Sequence, residues 1–345
     1  MYATVTASSE EWNAHLARFS PEYRDIYFTH DWHDLFARDA GAEPRAFLFE
    51  GARGTRVLYP FLLRNIPARL SESPLFACES AYGYGGPLTE APDPADLTMA
   101  DEAFCDWARS NGVVAEFVRF HPLLDTHRWF RRNLLIEDNR PTVTVSLDAP
   151  YDQLFLRFSP AKRRNIRKAD KAGVVVRRGE DFDGFWRLYE ATMSRLAATG
   201  FYHFQGEHRA HLERLVRTSG FLLEARISGR LVGAALFLRS AGFLHFHLGG
   251  SDASFLDAAP NDRLMAEAIR LGLETGAQAV HLGGGATTAA DDTLLRFKKG
   301  FSPTLTIFRT GKRIHQQARH DQLRMSWQEA SGVSSPLFLQ YLEDI

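Results

Sequence analysis

One block of secondary structure is written twice along this chain, and the duplication limits the possible folds more than any other feature. In the first copy, Ala46-Phe47-Leu48-Phe49-Glu50 leads through Gly54 to the apolar run Val57 to Arg64; in the second, Phe221-Leu222-Leu223-Glu224 leads through Gly229 to Leu231 to Arg239. Both copies have apolar runs joined by an Arg/Gly turn, which is the pattern of a β-hairpin. Gly54 and Gly229 stand 175 positions apart, and so do Arg64 and Arg239. Each copy continues with a glycine pair, Gly85-Gly86 or Gly249-Gly250, and then a helix that stops at Gly112 or Gly276. A strand follows, Val113 to Phe120 or Ala277 to Leu282. The offset there is 164, so the first copy carries extra residues after Arg64. A chain of 345 residues exceeds one ordinary core. The expected fold class is therefore α/β (α+β): two tandem domains, each a mixed twisted sheet flanked by helices. Residues 1–141 would form the first domain, completed by a C-terminal helix in 315–345, and 142–314 the second. The passage between them is expected at Asp138-Asn139-Arg140-Pro141, because Pro141 and its polar neighbours end regular structure.

Composition excludes several function classes. Forty-one basic and 42 acidic residues leave a net charge of −1, so nucleic acid would have to be met by a local patch, and no DNA partner is expected. No apolar run approaches the ~20 residues that span a bilayer. The start, MYATVTASSEEW, has neither the basic end nor the apolar core of a signal peptide. Cys78 and Cys105 are the only cysteines, without metal-ligand spacing, so a cytoplasmic protein with no metal and no bound cofactor is expected. No GxxxxGK[ST] loop is present, which argues against nucleotide hydrolysis.

Four segments carry candidate chemistry. Ser159-Pro160 opens a helix that Gly173 stops, and its body from Ala161 to Lys171 holds six cations and one acid. Lys162, Arg163 and Arg167 are the candidate phosphate contacts; the other account is a solvated helix. Alternation along Phe243 to Gly249 places Phe243, His245 and His247 on one face and Leu244, Phe246 and Leu248 on the other. His247 could take a proton from an attacking ammonium and His245 could line the substrate site, or both could be hydrogen-bonded structural residues. Gly283-Gly284-Gly285 precedes a short helix, Thr293 to Lys298, that Asp292 can cap and that Leu294, Leu295 and Phe297 can anchor. Lys298 is either poised there or a surface lysine, and Gly300 would let the chain turn sharply into Phe301. In the first copy, Ser80 to Pro87 is an aromatic and glycine loop whose Tyr84 could frame an acceptor groove, or it is a plain turn. Glu207-His208-Arg209-Ala210-His211 has no third ligand and is expected on a helix surface.

The order FLHFHLGGSD, Pro260-Asn261-Asp262, AVHLGGG and finally DDTLLRFKKGF resembles the catalytic domain of the Fem aminoacyltransferases. That family is built of two acetyltransferase-like (GNAT) domains and moves an amino acid from aminoacyl-tRNA to an amine, usually in a peptidoglycan precursor. The resemblance covers most of the chain in element order, but its motifs are specific only from Pro160 to Phe301. It implies that Lys298, in the Phe-Lys-x-x-Phe pattern, lies beside the reacting ester; Phe297 is a further candidate substrate contact. It also implies that the basic helix meets tRNA or a pyrophosphate-bearing acceptor. The Arg/Gln-x-x-Gly-x-Gly/Ala loop that grips coenzyme A in ordinary acetyltransferases is missing between Arg239 and Arg263, as it is in the Fem enzymes. Two departures stand out. No heptad stretch for the helical arm of some members occurs between Leu147 and Phe301. The lysine that follows an early tryptophan in peptidoglycan-type members is also lacking: after Trp32 the nearest cation is Arg38, which puts a UDP-muramyl acceptor in doubt. The competing functions are an N-acyltransferase with an acyl-CoA-type donor and a non-catalytic binding protein.

Overall fold

The structure, a computed structural model, describes residues 1–196, 204–240, 242–289 and 291–343. The chain begins with β1 (Tyr2–Thr6), α1 (Ser9–Leu16), α2 (His30–Asp39), β2 (Ala42–Glu50), β3 (Arg56–Asn65), β4 (Phe76–Glu79), β5 (Leu88–Glu90), α3 (Pro94–Ser110) and β6 (Val113–Arg119). After β7 (Leu135–Ser146) come α4 (Tyr151–Arg157), α5 (Pro160–Lys171), β8 (Val175–Gly179), α6 (Phe182–Arg195), α7 (Gly206–Ser219), β9 (Gly220–Ile227) and β10 (Arg230–Arg239). β11 (Phe243–Ser251), α8 (Pro260–Glu274), β12 (Ala279–Gly284), α9 (Thr293–Lys299), β13 (Leu305–Ile314) and α10 (Gln317–Ser331) complete it.

Two compact units result, Met1–Asn139 with Ile307–Ile345, and Arg140–Thr306. In the first, the strand order is β1-β2-β3-β4-β6-β13; in the second it is β8-β9-β10-β11-β12-β7. The repeat is explicit in the pairing. β2 and β3 form an antiparallel hairpin, as do β9 and β10, while β4 lies parallel to β6 and β11 parallel to β12. A parallel pair needs a helical crossover, supplied by α3 in one unit and α8 in the other. The chain leaves the first unit inside β7 and returns inside β13. Pro141 does not end regular structure: β7 runs through it and pairs with β12 from Thr142 onward. Residues 307–314, expected with the second domain, fall in the first unit, where Thr310 to Ile314 pair with β6. In the first copy the short β5 separates the glycine pair from its helix, and it pairs with β3.

In the second unit α8 lays Leu264, Met265, Ala268 and Ile269 on the sheet, joined by Ile166 of α5, Leu295 of α9 and Phe301. α6 and α7 cover the other sheet face, with Phe185, Tyr189, Leu212 and Val216 buried there. In the first unit α10 buries Leu323 and Trp327 against Ile66, Leu75 and Val114.

Candidate active site

The second unit holds most of the candidate residues that the sequence singled out, Lys162, Arg163, Arg167, His245, His247, Phe297 and Lys298, the last two on α9. Asp292 accepts a hydrogen bond from the Leu295 amide at 2.7 Å, which caps the helix, and two more from the Thr287 amide and hydroxyl. A Cβ at Gly285 would lie 2.5 Å from Asp292 Oδ1, so the glycine run admits the capping carboxylate closely. Leu295 anchors the helix in the core, whereas Leu294, expected beside it, is 38% exposed.

Lys298 points inward and is only 6% exposed. Its Nζ donates to the Gly284 carbonyl at 2.7 Å and stands 5.4 Å from the centre of the Phe246 ring. Burial depresses its pKa to about 7, with the Asp292 carboxylate opposing the shift. Lys299 is exposed on the other side of the helix. The bland account of Lys298 as a surface lysine does not describe this side chain.

Lys162 departs from the sequence expectation. Serine capping at Ser159 and Pro160 at the first position start α5 where the sequence places it. Its face is set by Lys162, Ile166 and Ala169, the three buried positions. Lys162 Nζ donates to Asp262 Oδ1 at 2.8 Å and lies 3.4 Å from the Phe297 ring centre and 4.9 Å from that of Phe301. Desolvation lowers its pKa, partly offset by Asp262. Its charge is thus answered inside the unit. Arg163 is half-buried and Arg167 exposed, the latter over the Phe155 ring at 5.6 Å. Gly300 does not serve as a swivel either: at φ −67° and ψ −18° its backbone is ordinary α. What glycine provides is space, because a Cβ there would sit 2.7 Å from Lys162 Cγ.

The histidines occupy the other face. Strand β11 bulges: Leu236 pairs with Leu248 but Phe237 pairs with Phe246, which makes His247 the extra residue. Beyond the bulge the alternation changes phase, so Leu248 shares the His245 face and not that of Phe246. Leu244 and Phe246 remain in the core under α8. His245 is fully buried, with Nδ1 3.4 Å from Nδ1 of His281 on β12. Burial, with His208 and His245 adding to it, pulls the His247 pKa down to about 3. His247 is therefore neutral throughout the physiological range. His208, expected on a helix surface, is buried and stacked on Phe204 with ring centres 4.5 Å apart. The fold thus groups Lys298, Phe297 and Lys162 on one face of the sheet, and His245 with His281 on the opposite one.

Sequence reasoning missed Asp262, the Gly284 carbonyl, Phe246 and His281. Asp262 reads as an ordinary acid in the first turn of α8, and its partner lies 100 positions away.

Tyr84 and Arg38 belong to the first unit. The Tyr84 ring meets those of Tyr27, His121 and Phe308 at 5.2, 5.7 and 5.3 Å. Arg38 is exposed and pairs with Asp34 at 3.1 Å, while Trp32 is buried and donates to the Tyr82 carbonyl at 2.9 Å.

Residues 160–299, from the first turn of α5 to the last residue of α9, match the model of a family described as an acetyltransferase (GNAT) domain. Among solved structures the chain is similar to FemX, with 14% identity, a TM-score of 0.70, and 93% of this chain and 99% of that one covered. It is also similar to the C-terminal domain of a putative lysylphosphatidylglycerol synthetase from Agrobacterium fabrum, with 12% identity, a TM-score of 0.56, and coverages of 93% and 98%. L-PGS from Bacillus licheniformis is comparable, at 11% identity, a TM-score of 0.55, and coverages of 93% and 96%. No curated protein sequence matches the chain. The resemblance to FemX therefore holds at the level of fold, and the stretch similar to the acetyltransferase (GNAT) domain model contains α5, the histidine strand and Lys298. Among the described residues no helix is long and apolar enough to cross a membrane.

Proposed function

We propose that this protein transfers an aminoacyl group from aminoacyl-tRNA to an amine, such as that of a peptidoglycan-precursor peptide or another small peptide. The observation that carries the proposal is the Lys298 amine, buried in a GNAT domain with a backbone carbonyl as its hydrogen-bond partner and a pKa near 7. In such a transfer the acceptor nitrogen bonds to the ester carbonyl carbon, a tetrahedral oxyanion forms, and the bond to the ribose oxygen breaks. The acceptor nitrogen loses its proton to water and the ribose oxygen gains one. An ammonium has three donors, and Gly284 occupies one, so Lys298 can turn another toward the oxyanion or the leaving oxygen. Its low dielectric surroundings strengthen that contact. No covalent enzyme intermediate is needed; holding both substrates in place accounts for much of the rate.

Two features support a tRNA donor over coenzyme A. Arg164, Arg167, Lys168 and Lys171 leave an exposed cationic face on α5. Where acetyltransferases open a helix with amides for pyrophosphate, α8 opens with Pro260, which has no N–H, and with the carboxylate of Asp262. FemX and a lysylphosphatidylglycerol synthetase share the fold, and the latter is named for an aminoacylated product. With His247 held neutral at a pKa of about 3, the proposal gives it no basic role.

The purified protein should transfer labelled amino acid from charged tRNA to an amine, and ribonuclease should abolish the transfer. Activity with acyl-CoA and none with charged tRNA would assign another donor. Binding without turnover on either would make it a binding protein.

A further inference from the structure

We propose that the buried Lys162–Asp262 pair is a positioning device that fixes α9 against α5 and α8 and so sets where the Lys298 amine stands. This rests on the aminoacyl-transfer proposal for the role of Lys298, and it takes Lys162 out of the set of phosphate contacts.

α9 has seven residues, too few to hold its place by its own hydrogen bonds. Its C-terminal end is gripped at Phe297, Gly300 and Phe301, on either side of Lys298. Phe297, the preceding residue, lies face-on to the Lys162 ammonium at 3.4 Å. Gly300 packs against the Lys162 stem so closely that no Cβ fits, and its carbonyl accepts from the Ser159 amide at 2.8 Å. Phe301 meets the same ammonium at 4.9 Å and the Phe158 ring at 5.3 Å.

Lys162 therefore touches three of the residues around Lys298 and is itself tied to α8 through Asp262. Asp262 takes a second donor from α5, Asn165 Nδ2 at 3.3 Å. Lys162 and Asp262 are 7% and 6% exposed. Neither is placed to meet a phosphate in solution, and together they leave no net charge. A partnered charge pair in a nearly dry site holds one geometry, because any displacement strands a buried charge.

Three full-length variants test this: Lys162→Met, Asp262→Asn and the double Lys162→Met/Asp262→Asn. Each should lower kcat about a hundredfold, the scale of a misplacement near 1 Å. KM for charged tRNA and its salt dependence should not change. The Lys298 titration, followed by NMR of the ¹⁵N-labelled lysine side chains and assigned with Lys298→Met, should rise from near 7 as α9 loosens and water enters. Asp292, the helix cap, faces Lys298 alike in every variant. The double variant, with no stranded charge, should regain the melting temperature lost by either single variant without regaining kcat. It carries the test should a single variant not fold.

Tighter donor binding in Asp262→Asn with kcat intact would instead make Lys162 a phosphate ligand that Asp262 restrains. A Lys298 titration unmoved in all three would also overturn the proposal. Absence of transfer from charged tRNA by the unaltered protein would remove the function but not the positioning, which the titration decides by itself.

Discussion

Each unit buries a cation in a similar frame, and the two are answered in opposite ways. In the first unit Arg313 of β13 is 2% exposed and faces Glu116 of β6 at 2.9 Å and Asp101 of α3 at 2.6 Å. Its Nη2 donates to the Phe130 carbonyl at 3.1 Å. Burial alone would lower its pKa, but the two carboxylates outweigh burial and raise it above the ordinary arginine value. In the second unit Lys298 has a neutral carbonyl as its hydrogen-bond partner, and burial wins. The first arrangement fixes the register of Arg313 opposite Glu116 in the β6–β13 ladder. The second leaves an amine whose charged form is costly, and it is this unanswered charge that the proposed role of Lys298 draws on.

Breaking the first arrangement should produce the largest effect on stability. Arg313→Met leaves Glu116 and Asp101 buried without their cation, and removing one partner of such a network typically costs about 3–5 kcal/mol. Chemical denaturation followed by far-UV circular dichroism measures it. A loss below 1 kcal/mol would mean that the network is not closed to water and would void the contrast.

The matching change in the second unit should cost rate and not stability. Lys298→Met should lower kcat by about a hundred- to thousandfold, the usual loss for one oxyanion donor, with Lys299→Met near wild type. Steady-state transfer from charged tRNA gives the ratio. If the Lys299 variant is the damaged one, the assignment of Lys298 fails.

Stability of the same variant sharpens the contrast further. An amine that titrates near 7 when folded and near 10.5 when unfolded binds fewer protons in the folded state at every pH between those values. Wild-type stability therefore rises with pH across that window, and below it the full cost of a buried ammonium is present. Lys298→Met lacks that cost. It should be the more stable protein at pH 6, on the order of a few kcal/mol, with the advantage falling by about 1.4 kcal/mol per pH unit above 7. Melting curves of both proteins from pH 6 to 9 would show it. A constant difference would mean that Lys298 titrates normally.

The sequence made some of this legible and hid the rest for physical reasons. The hairpins were visible because alternation and turn glycines are local, and the repeat followed from their spacing. The α9 cap was visible for the same reason, whereas Lys298 was singled out by the resemblance to the Fem enzymes. Lys162 was misjudged because a helix with cations nearly all round offers no periodicity to show which one turns inward. That choice is made by Asp262, Phe297 and Phe301, all far along the chain. Pro141 was taken as a break, although a strand tolerates proline where its N–H is not needed in the ladder. The phase of β11 was lost at His247 because a bulge leaves no mark on hydrophobic alternation.

The remaining cations of α5 form a third case, neither paired in a core nor isolated in one, and they give the smallest effect. Arg167 and Lys168 are exposed and Arg163 is half-buried, so water pays most of their solvation and a phosphate must compete with it. What such contacts contribute is counterion release: each phosphate neutralised steepens log K against log salt by about 0.7 for a single strand and about 0.9 for a duplex. Arg163→Gln with Arg167→Gln should therefore flatten the slope for charged tRNA by about 1.4–1.8, with the fold intact, because Ile166 and Ala169 still seat the helix. Adding Lys162→Met to that pair should leave the slope where it is, since that ammonium is already neutralised by Asp262. Fluorescence anisotropy of labelled tRNA between 50 and 200 mM salt, about the range over which such slopes are read, resolves a change of this size. An unchanged slope in the double variant would return α5 to solvent. A further flattening on loss of Lys162 would show that its pairing with Asp262 opens when the donor arrives.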